Sequence, residues 1–140
     1  MVIWAAMPKK DSQDDLPCGS ELILLVEDED GVRSLAEKIL RRFGYQVLSA
    51  GNRKQAEELF AHNAEQIDLL FTDVVMPDCS GIELYDSLVA KRSSLKVLYM
   101  SGYPDIGVKR GRTRSPGAPF LYKPFTPDAL ARQIREVLDS

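Results

Sequence analysis

Residues 22–29 read LILLVEDE, five apolar residues followed directly by three acids. An apolar run without polar alternation is typical of a β-strand that helices cover on both faces. The apolar positions between residues 32 and 43 then recur at helical spacing, and Gly44 supplies the residue that tolerates a left-handed backbone just past a helix. This stretch therefore predicts a buried strand that ends in acid, followed by an amphipathic helix.

The same alternation of apolar runs and amphipathic stretches continues along the chain. Asn52 precedes Gln55 by three residues, which is the spacing of a capping box at a helix start. Ser80 and Glu83 repeat this spacing, and Thr126 precedes a proline at the first position of a last helix. Repeated strand–helix units predict an α/β fold with a five-stranded parallel sheet, doubly wound by helices. The further strands are predicted over residues 45–50, 67–72, 96–100 and 119–122.

Two of the predicted helices carry specific expectations. Proline and glycine crowd the segment that should form the fourth helix, residues 102–118, so we expect that helix to be short or distorted. For the third helix, which begins after Ser80, the apolar positions predict a buried face. That face consists of Ile82, Tyr85, Leu88 and Val89.

Length, charge and composition restrict the class of protein. The chain has 140 residues, enough for one domain, which we place at residues 21–140 after a tail or linker over residues 1–20. Its 18 Lys and Arg against 21 Asp and Glu give a net charge of −3, so no basic field favours nucleic acid. No apolar run approaches the about 20 residues of a membrane span. Cys18 and Cys79 lie outside any metal-ligand spacing, and we expect a cytoplasmic protein that binds neither nucleic acid nor membrane.

Polar residues follow four of the predicted strands at the point where each strand ends. Glu27 and Asp28 end the first strand, and Asp73 ends the third. Ser101 and Lys123 follow the fourth and fifth strands. Because parallel strands end at one edge of the sheet, these side chains should converge. Crowded carboxylates need a cation, and hard oxygen ligands suit Mg²⁺. An aspartate beside a metal, a lysine and a hydroxyl is equipped to attack a phosphoryl donor.

Four blocks of sequence resemble response-regulator receiver domains of the CheY-like superfamily. These blocks are VEDE at 26–29, TDVVMPDCSG at 72–81, MSG at 100–102 and YKPF at 122–125. They agree with that family in order, spacing and position at strand ends, and the resemblance covers about residues 21–140. It implies a flavodoxin-like doubly wound fold and a signalling domain rather than an enzyme.

The resemblance also implies a role for each residue of the acidic edge. Asp73 would accept the phosphoryl group. Glu27 and Asp28 would be the acidic pair that holds Mg²⁺, and Val75 would add its backbone carbonyl to the metal. Glu27 is longer than the more common aspartate, so we expect it to reach the ion through water or to shift it.

The remaining matched residues would sense the phosphoryl group. Lys123 would pair with it, and the Lys123–Pro124 peptide bond would be cis. Ser101 would be the switch hydroxyl. Phe120 would be the aromatic residue that moves inward with that hydroxyl, and it lacks the hydroxyl of the frequent tyrosine.

The partner implied by the resemblance carries phosphohistidine. It would be a histidine kinase or a histidine phosphotransfer protein, docking near Val32 and Leu35. The apolar VIWAAMP at residues 2–8, followed by a polar linker and a receiver, resembles the carboxyl end of hybrid sensor histidine kinases. A stand-alone single-domain regulator remains an alternative, and the sequence does not decide the oligomeric state.

Three other functions compete with this interpretation. An aspartyl-phosphate hydrolase of the haloacid dehalogenase type needs an aspartate two residues after Asp73, where Val75 stands. A dinucleotide-binding domain needs a glycine-rich loop after the first strand, where the chain has EDEDG. A receiver-shaped interaction module that works without phosphorylation stays open.

Overall fold

The computed structural model describes residues 17–102 and 119–140. Its five strands form one sheet in the order β2-β1-β3-β4-β5, and every neighbouring pair is parallel. The predicted five-stranded parallel sheet is therefore confirmed, and the strand ends differ from the predicted ones by at most one residue. The strands are β1 (Leu22–Val26), β2 (Gln46–Ala50), β3 (Ile67–Asp73), β4 (Lys96–Ser101) and β5 (Phe120–Tyr122).

Four helices cover the two faces of the sheet in the described residues. They are α1 (Asp30–Arg42), α2 (Arg53–Asn63), α3 (Gly81–Val89) and α4 (Pro127–Asp139). In the residues that the structure describes, no helix is long and apolar enough to cross a membrane. The predicted short or distorted helix within residues 102–118 lies outside the described residues except at Gly102, and so do residues 1–16 of the predicted tail.

The helix starts follow the predicted capping residues. The Ser80 hydroxyl accepts a hydrogen bond from the Glu83 amide, and the Glu83 carboxylate accepts one from the Ser80 amide, which completes the capping box. The Asn52 side chain accepts from the Gln55 amide. The Gln55 side chain accepts a hydrogen bond from the amide of Gly51 instead of from that of Asn52. The predicted capping box of Asn52 and Gln55 is therefore only half formed.

Two cores lie on opposite faces of the sheet, and β1 contributes to both. Ile23 and Leu25 point into the core under α1 and α4, whereas Leu24 and Val26 point into the core under α2 and α3. All four side chains are fully buried. Helices on both faces explain why this strand is apolar at every position, because neither face meets water.

The buried face of α3 agrees with the prediction at Leu88 and differs from it at the other three positions. Leu84 and Leu88 are fully buried in the core under α2 and α3. The predicted residues Ile82, Tyr85 and Val89 are only partly buried around them. A Cβ atom on Gly81 would collide with the backbone oxygen of Asp73, so this glycine lets the first turn approach β3. That approach turns positions 81, 84 and 88 toward the sheet, and the flanking apolar residues pack at the sides.

We expect the burial of Leu84 to be measurable as a contribution to the free energy of unfolding. Leu84→Ala should lower the free energy of unfolding by about 3 kcal/mol, because it leaves a cavity in a closed core. The matched change Leu35→Ala, at a side chain that is 53% exposed, should alter it by no more than about 0.5 kcal/mol. Urea unfolding of both variants measures the difference. Equal losses would contradict the burial seen for α3.

Candidate functional site

An open cleft of about 660 Å³ lies at the edge of the sheet where the strands end. Glu27 and Asp28 reach it from the end of β1, and Asp73 reaches it from the end of β3. Lys123 enters directly after β5. The predicted convergence of these residues is therefore observed. The rest of the lining includes the apolar residues Val32, Leu35, Val75, Pro124 and Phe125.

Three carboxylates crowd one corner of this cleft. Glu27, Asp28 and Asp73 each offer an oxygen, and these oxygens all lie within 4.8 Å of one another. Glu27 and Asp73 are buried, whereas Asp28 is exposed. Three hard oxygen donors beside an opening to water fit the preference of Mg²⁺ for carboxylates and retained water. The donor set is therefore suitable for a divalent cation.

Lys123 joins two of these acids. Its Nζ donates to Oε1 of Glu27 at 3.1 Å and to Oδ2 of Asp73 at 3.2 Å. The Lys123 amide donates to the Ser101 carbonyl at 2.8 Å, which fixes the backbone of this lysine against the end of β4. The Lys123–Pro124 peptide bond is cis, as the resemblance implied. One ammonium group thus serves two buried carboxylates.

Burial changes the proton affinity of all three groups. Desolvation raises the pKa of Glu27, and the nearby charge of Asp73 adds to the increase. Desolvation likewise raises the pKa of Asp73, although the charge of Lys123 opposes it. Burial alone would lower the pKa of Lys123, but its bonds to Glu27 and the charge of Asp73 raise it. The site is short of positive charge, which favours binding of a further cation.

The loop after Asp73 is fixed at both ends. Oδ1 of Asp73 accepts a hydrogen bond from the Val75 amide at 3.4 Å, and Val75 forms an isolated bridge with Ser80. The Gly81 amide donates to the Val74 carbonyl at 2.8 Å. The Val75 side chain is 45% exposed at the cleft. This arrangement keeps Val75 beside the acid group.

Two residues that support the site had no role in the sequence-based prediction. Gly81 lets α3 approach the backbone of Asp73, and the only signal for it was its place in the TDVVMPDCSG block. Arg33 on α1 donates from Nη1 to the Glu27 carbonyl at 2.8 Å and pairs with Asp30 at 2.6 Å. Arg33 thereby holds the acidic turn that carries Asp28.

The two expected switch residues lie on β4 and β5 rather than on the wall of the cleft. Ser101 is fully buried at the end of β4. Phe120 is partly buried on β5, with its ring centroid 5.4 Å from that of Tyr99 and 6.3 Å from that of Tyr122. Neither is among the described residues that line the cleft. Their movement stays a prediction.

The raised pKa of Asp73 leads to a prediction about stability and pH. The folded chain holds the proton of this carboxyl more tightly than the unfolded chain, so stability is lost as the pH rises from the ordinary carboxyl range to neutrality. Asp73→Asn removes this cost. Without divalent cations, we expect it to raise the free energy of unfolding at pH 7 by more than about 0.5 kcal/mol.

The gain should shrink as the pH falls toward 3.8, the ordinary pKa of the group, because Asp73 then becomes protonated in both states. Urea unfolding across this range measures the effect. Glu65→Gln, at an exposed acid outside the cleft, is the control. A loss of stability in Asp73→Asn at neutral pH would mean that the ion pair with Lys123 outweighs the burial of charge.

Comparison with known proteins gives a consistent result. The family model described as the response regulator receiver domain matches residues 23–135. The sensor kinase CckA of Brucella abortus (strain 2308) is 33% identical over 135 residues, which are 96% of this chain and 14% of that kinase. The response regulator receiver protein CpdR of the same strain is 32% identical over 116 residues, 83% of this chain and 95% of CpdR.

A solved structure agrees with these relatives. The crystal structure of the receiver domain from the hybrid histidine kinase CckA is 37% identical, with a TM-score of 0.71, and the match covers 84% of this chain and 98% of that one. This chain therefore spans a small part of the kinase but nearly all of an isolated receiver. With its fold and its acidic cleft, the chain belongs to the response regulator receiver domain family, the signalling domains of two-component systems.

Proposed function

We propose that this receiver accepts a phosphoryl group on Asp73 from a phosphohistidine and signals through the resulting change in conformation. The observation that carries the proposal is the position of the Asp73 carboxylate. It is buried, it is held by Lys123, and it lies within 4.8 Å of two further acids in an open cleft. A carboxylate in this setting is a suitable nucleophile for a phosphoryl donor.

The same residues would hold Mg²⁺. We propose that Asp28 and Asp73 bind the ion directly together with the Val75 carbonyl. Glu27 has a longer side chain than an aspartate, so we propose that it acts through water or through its charge. When bound, the ion would neutralise phosphoryl oxygens.

The transfer requires one bond to form and one to break. An oxygen of Asp73 attacks phosphorus, the new O–P bond forms, and the N–P bond of the phosphohistidine breaks. The imidazole leaves and takes up a proton. The Lys123 ammonium, already 3.2 Å from the carboxylate, would stabilise the negative charge on the transferred oxygens. The Ser101 hydroxyl would then donate a hydrogen bond to one of them.

The signal would be a shift between two existing conformations. Ser101 and Phe120 lie on neighbouring strands, and the ring of Phe120 packs on Tyr99. If Ser101 moves toward the phosphoryl group, space opens for the Phe120 ring to turn inward. Phenylalanine has no hydroxyl, so the inward ring would be held by packing alone.

The rim of the cleft is suited to a protein donor. Leu35 is 53% exposed and Val75 45% exposed, and both lie beside the acids with Val32. Exposed apolar side chains around a charged site can pack against a partner while the phosphohistidine approaches Asp73. We propose that a histidine kinase or a histidine phosphotransfer protein docks here.

The match to CckA bears on the wider context of the domain. It extends over 135 residues, whereas residues 21–140 number only 120, so part of the N-terminal segment is included in the match. We propose on this basis that the receiver is of the hybrid-kinase type. A single-domain regulator such as CpdR, which this chain covers to 95%, is the alternative.

The first test is phosphorylation by a small donor. After incubation with acetyl phosphate and Mg²⁺, we expect intact-protein mass spectrometry to show a gain of one phosphoryl group. Asp73→Asn and the addition of a chelator should each abolish the gain. A wild-type chain that stays unmodified while a known receiver is labelled in parallel would favour the phosphorylation-independent interaction module.

The second test separates docking from chemistry. Leu35→Ala should slow transfer from a phosphorylated histidine phosphotransfer protein that labels the wild type, by about tenfold if the side chain is an anchor of the interface. Labelling of the same variant by acetyl phosphate should be unchanged, because an apolar side chain takes no part in the hydrogen bonds between Lys123 and the acids. Arg132→Ala, on exposed α4 surface, is the control variant. Unchanged transfer in Leu35→Ala would place the docking surface elsewhere.

A further inference from the structure

The four described residues that precede Glu21 pack onto the domain at the edge opposite the acidic cleft. The Gly19 amide donates to the Phe43 carbonyl at 3.1 Å, just past the end of α1. The Gln46 side chain donates to the Ser20 carbonyl at 3.3 Å. Since β1 and β2 begin here and end at the acids, this segment lies at the amino-terminal edge of the sheet.

The segment passes through a narrow gap. A Cβ atom on Gly19 would collide with Arg135 and Glu21, and it would lie 2.7 Å from the ring of Tyr45. Gly44 has a φ of 99°, and a Cβ atom there would collide with the carbonyl of Gly19. Glycine is required at position 44, because its φ is positive and a Cβ atom there would meet the backbone of Gly19. At position 19 a Cβ atom would meet only side-chain atoms, so the close contact there depends on where the side chains of Arg135, Glu21 and Tyr45 lie.

Arg135 of α4 forms the closing side of the gap. Its Nη2 pairs with Glu21 at 2.7 Å and with Asp139 at 2.8 Å. Its Nη1 donates to the Cys18 carbonyl at 3.3 Å and lies 3.4 Å from the Tyr45 hydroxyl. The guanidinium side chain is 22% exposed. Several donors of a single planar group thus connect the N-terminal segment, the start of β1 and the end of α4.

Helix α4 connects this gap to the acidic cleft. It begins at Pro127, four residues after Lys123, and runs for 13 residues to Asp139. At about 1.5 Å per residue it is about 20 Å long. The start of α4 follows the lysine that contacts Asp73, and its last turns carry the residues that hold the N-terminal segment.

We propose that Arg135, Glu21 and the paired glycines Gly19 and Gly44 form a rigid junction that fastens residues 17–20 to α4. Residues 17–20 are then held against the far end of α4 instead of moving freely. The proposal does not depend on phosphorylation. It concerns how the receiver is joined to what precedes it.

The test uses the hydrogen exchange of the Gly19 amide, followed by NMR in the full chain. Arg135→Gln should speed this exchange by about tenfold, since the local opening is no longer opposed by the charged hydrogen bonds. Glu21→Gln removes the charged partner of Arg135 and should also speed the exchange of the Gly19 amide. Arg132→Gln, at an exposed arginine of the same helix, should leave the exchange unchanged.

A second readout reports the motion of the segment itself. A nitroxide label is attached to the exposed Cys18 in a Cys79→Ser background. The motion of this label should be slow when Arg135 is present and fast in Arg135→Gln. The Leu25 amide in the core of β1 serves as the reference for global opening. Equal acceleration of Gly19 and Leu25 would show that Arg135 only stabilises the whole domain and would overturn the junction. Unchanged exchange and label motion in Arg135→Gln would overturn it as well.

Discussion

The interaction on which the site depends is the shared ion pair of Lys123 with Glu27 and Asp73. Three carboxylates against one ammonium leave two negative charges in a partly buried corner. Burial is the main cause of the raised pKa values of Glu27 and Asp73, and the charge of a neighbouring carboxylate adds to each increase. A divalent ion would balance the charge. The fold therefore maintains an unfavourable arrangement of acids that binding of a cation would relieve.

That arrangement persists because the surrounding backbone cannot easily relax. Arg33 holds the Glu27 carbonyl, and the Glu29 amide holds one oxygen of the Glu27 carboxylate. On the other strand, Gly81 brings α3 against the backbone of Asp73, and its amide holds Val74. Two independent turns are thus fixed by hydrogen bonds that do not involve Lys123. Strain between like charges cannot be released by moving the loops apart.

The sequence predicted the sheet and the meeting of three acids and a lysine at its edge, because both follow from local patterns. An apolar run of five residues located β1 and the largely apolar stretch IDLLFT located β3, and the acids after them followed from strand direction. The face of α3 was predicted correctly at Leu88 but not at Ile82, Tyr85 and Val89, because which apolar residues are buried depends on how the helix is rotated. Its contact at Gly81 with the backbone of Asp73 sets that rotation. The pattern of apolar and polar side chains along a sequence does not show which residues contact backbone atoms.

Arg33 and Arg135 went unrecognised for the same reason. Each looks like a surface residue of an amphipathic helix, yet each donates to a carbonyl outside its own helix, Arg33 to Glu27 and Arg135 to Cys18. The predicted boundary at residue 21 remains a prediction, but residues 17–20 already contact the domain.

The two edges of the sheet carry different kinds of constraint, and α4 is common to both. At the acidic edge, the charge on Asp73 determines what Lys123 can contact, and a phosphoryl group there would add negative charge and new acceptor oxygens. At the opposite edge, Arg135 holds residues 17–20 through hydrogen bonds from its guanidinium group, which stays charged near neutral pH. The start of α4 follows Lys123, whose contacts depend on the charge of Asp73, whereas its end is held by Arg135. A change of charge at Asp73 can therefore change the position of α4. The junction at residues 17–20 is where such a change would reach the N-terminal segment.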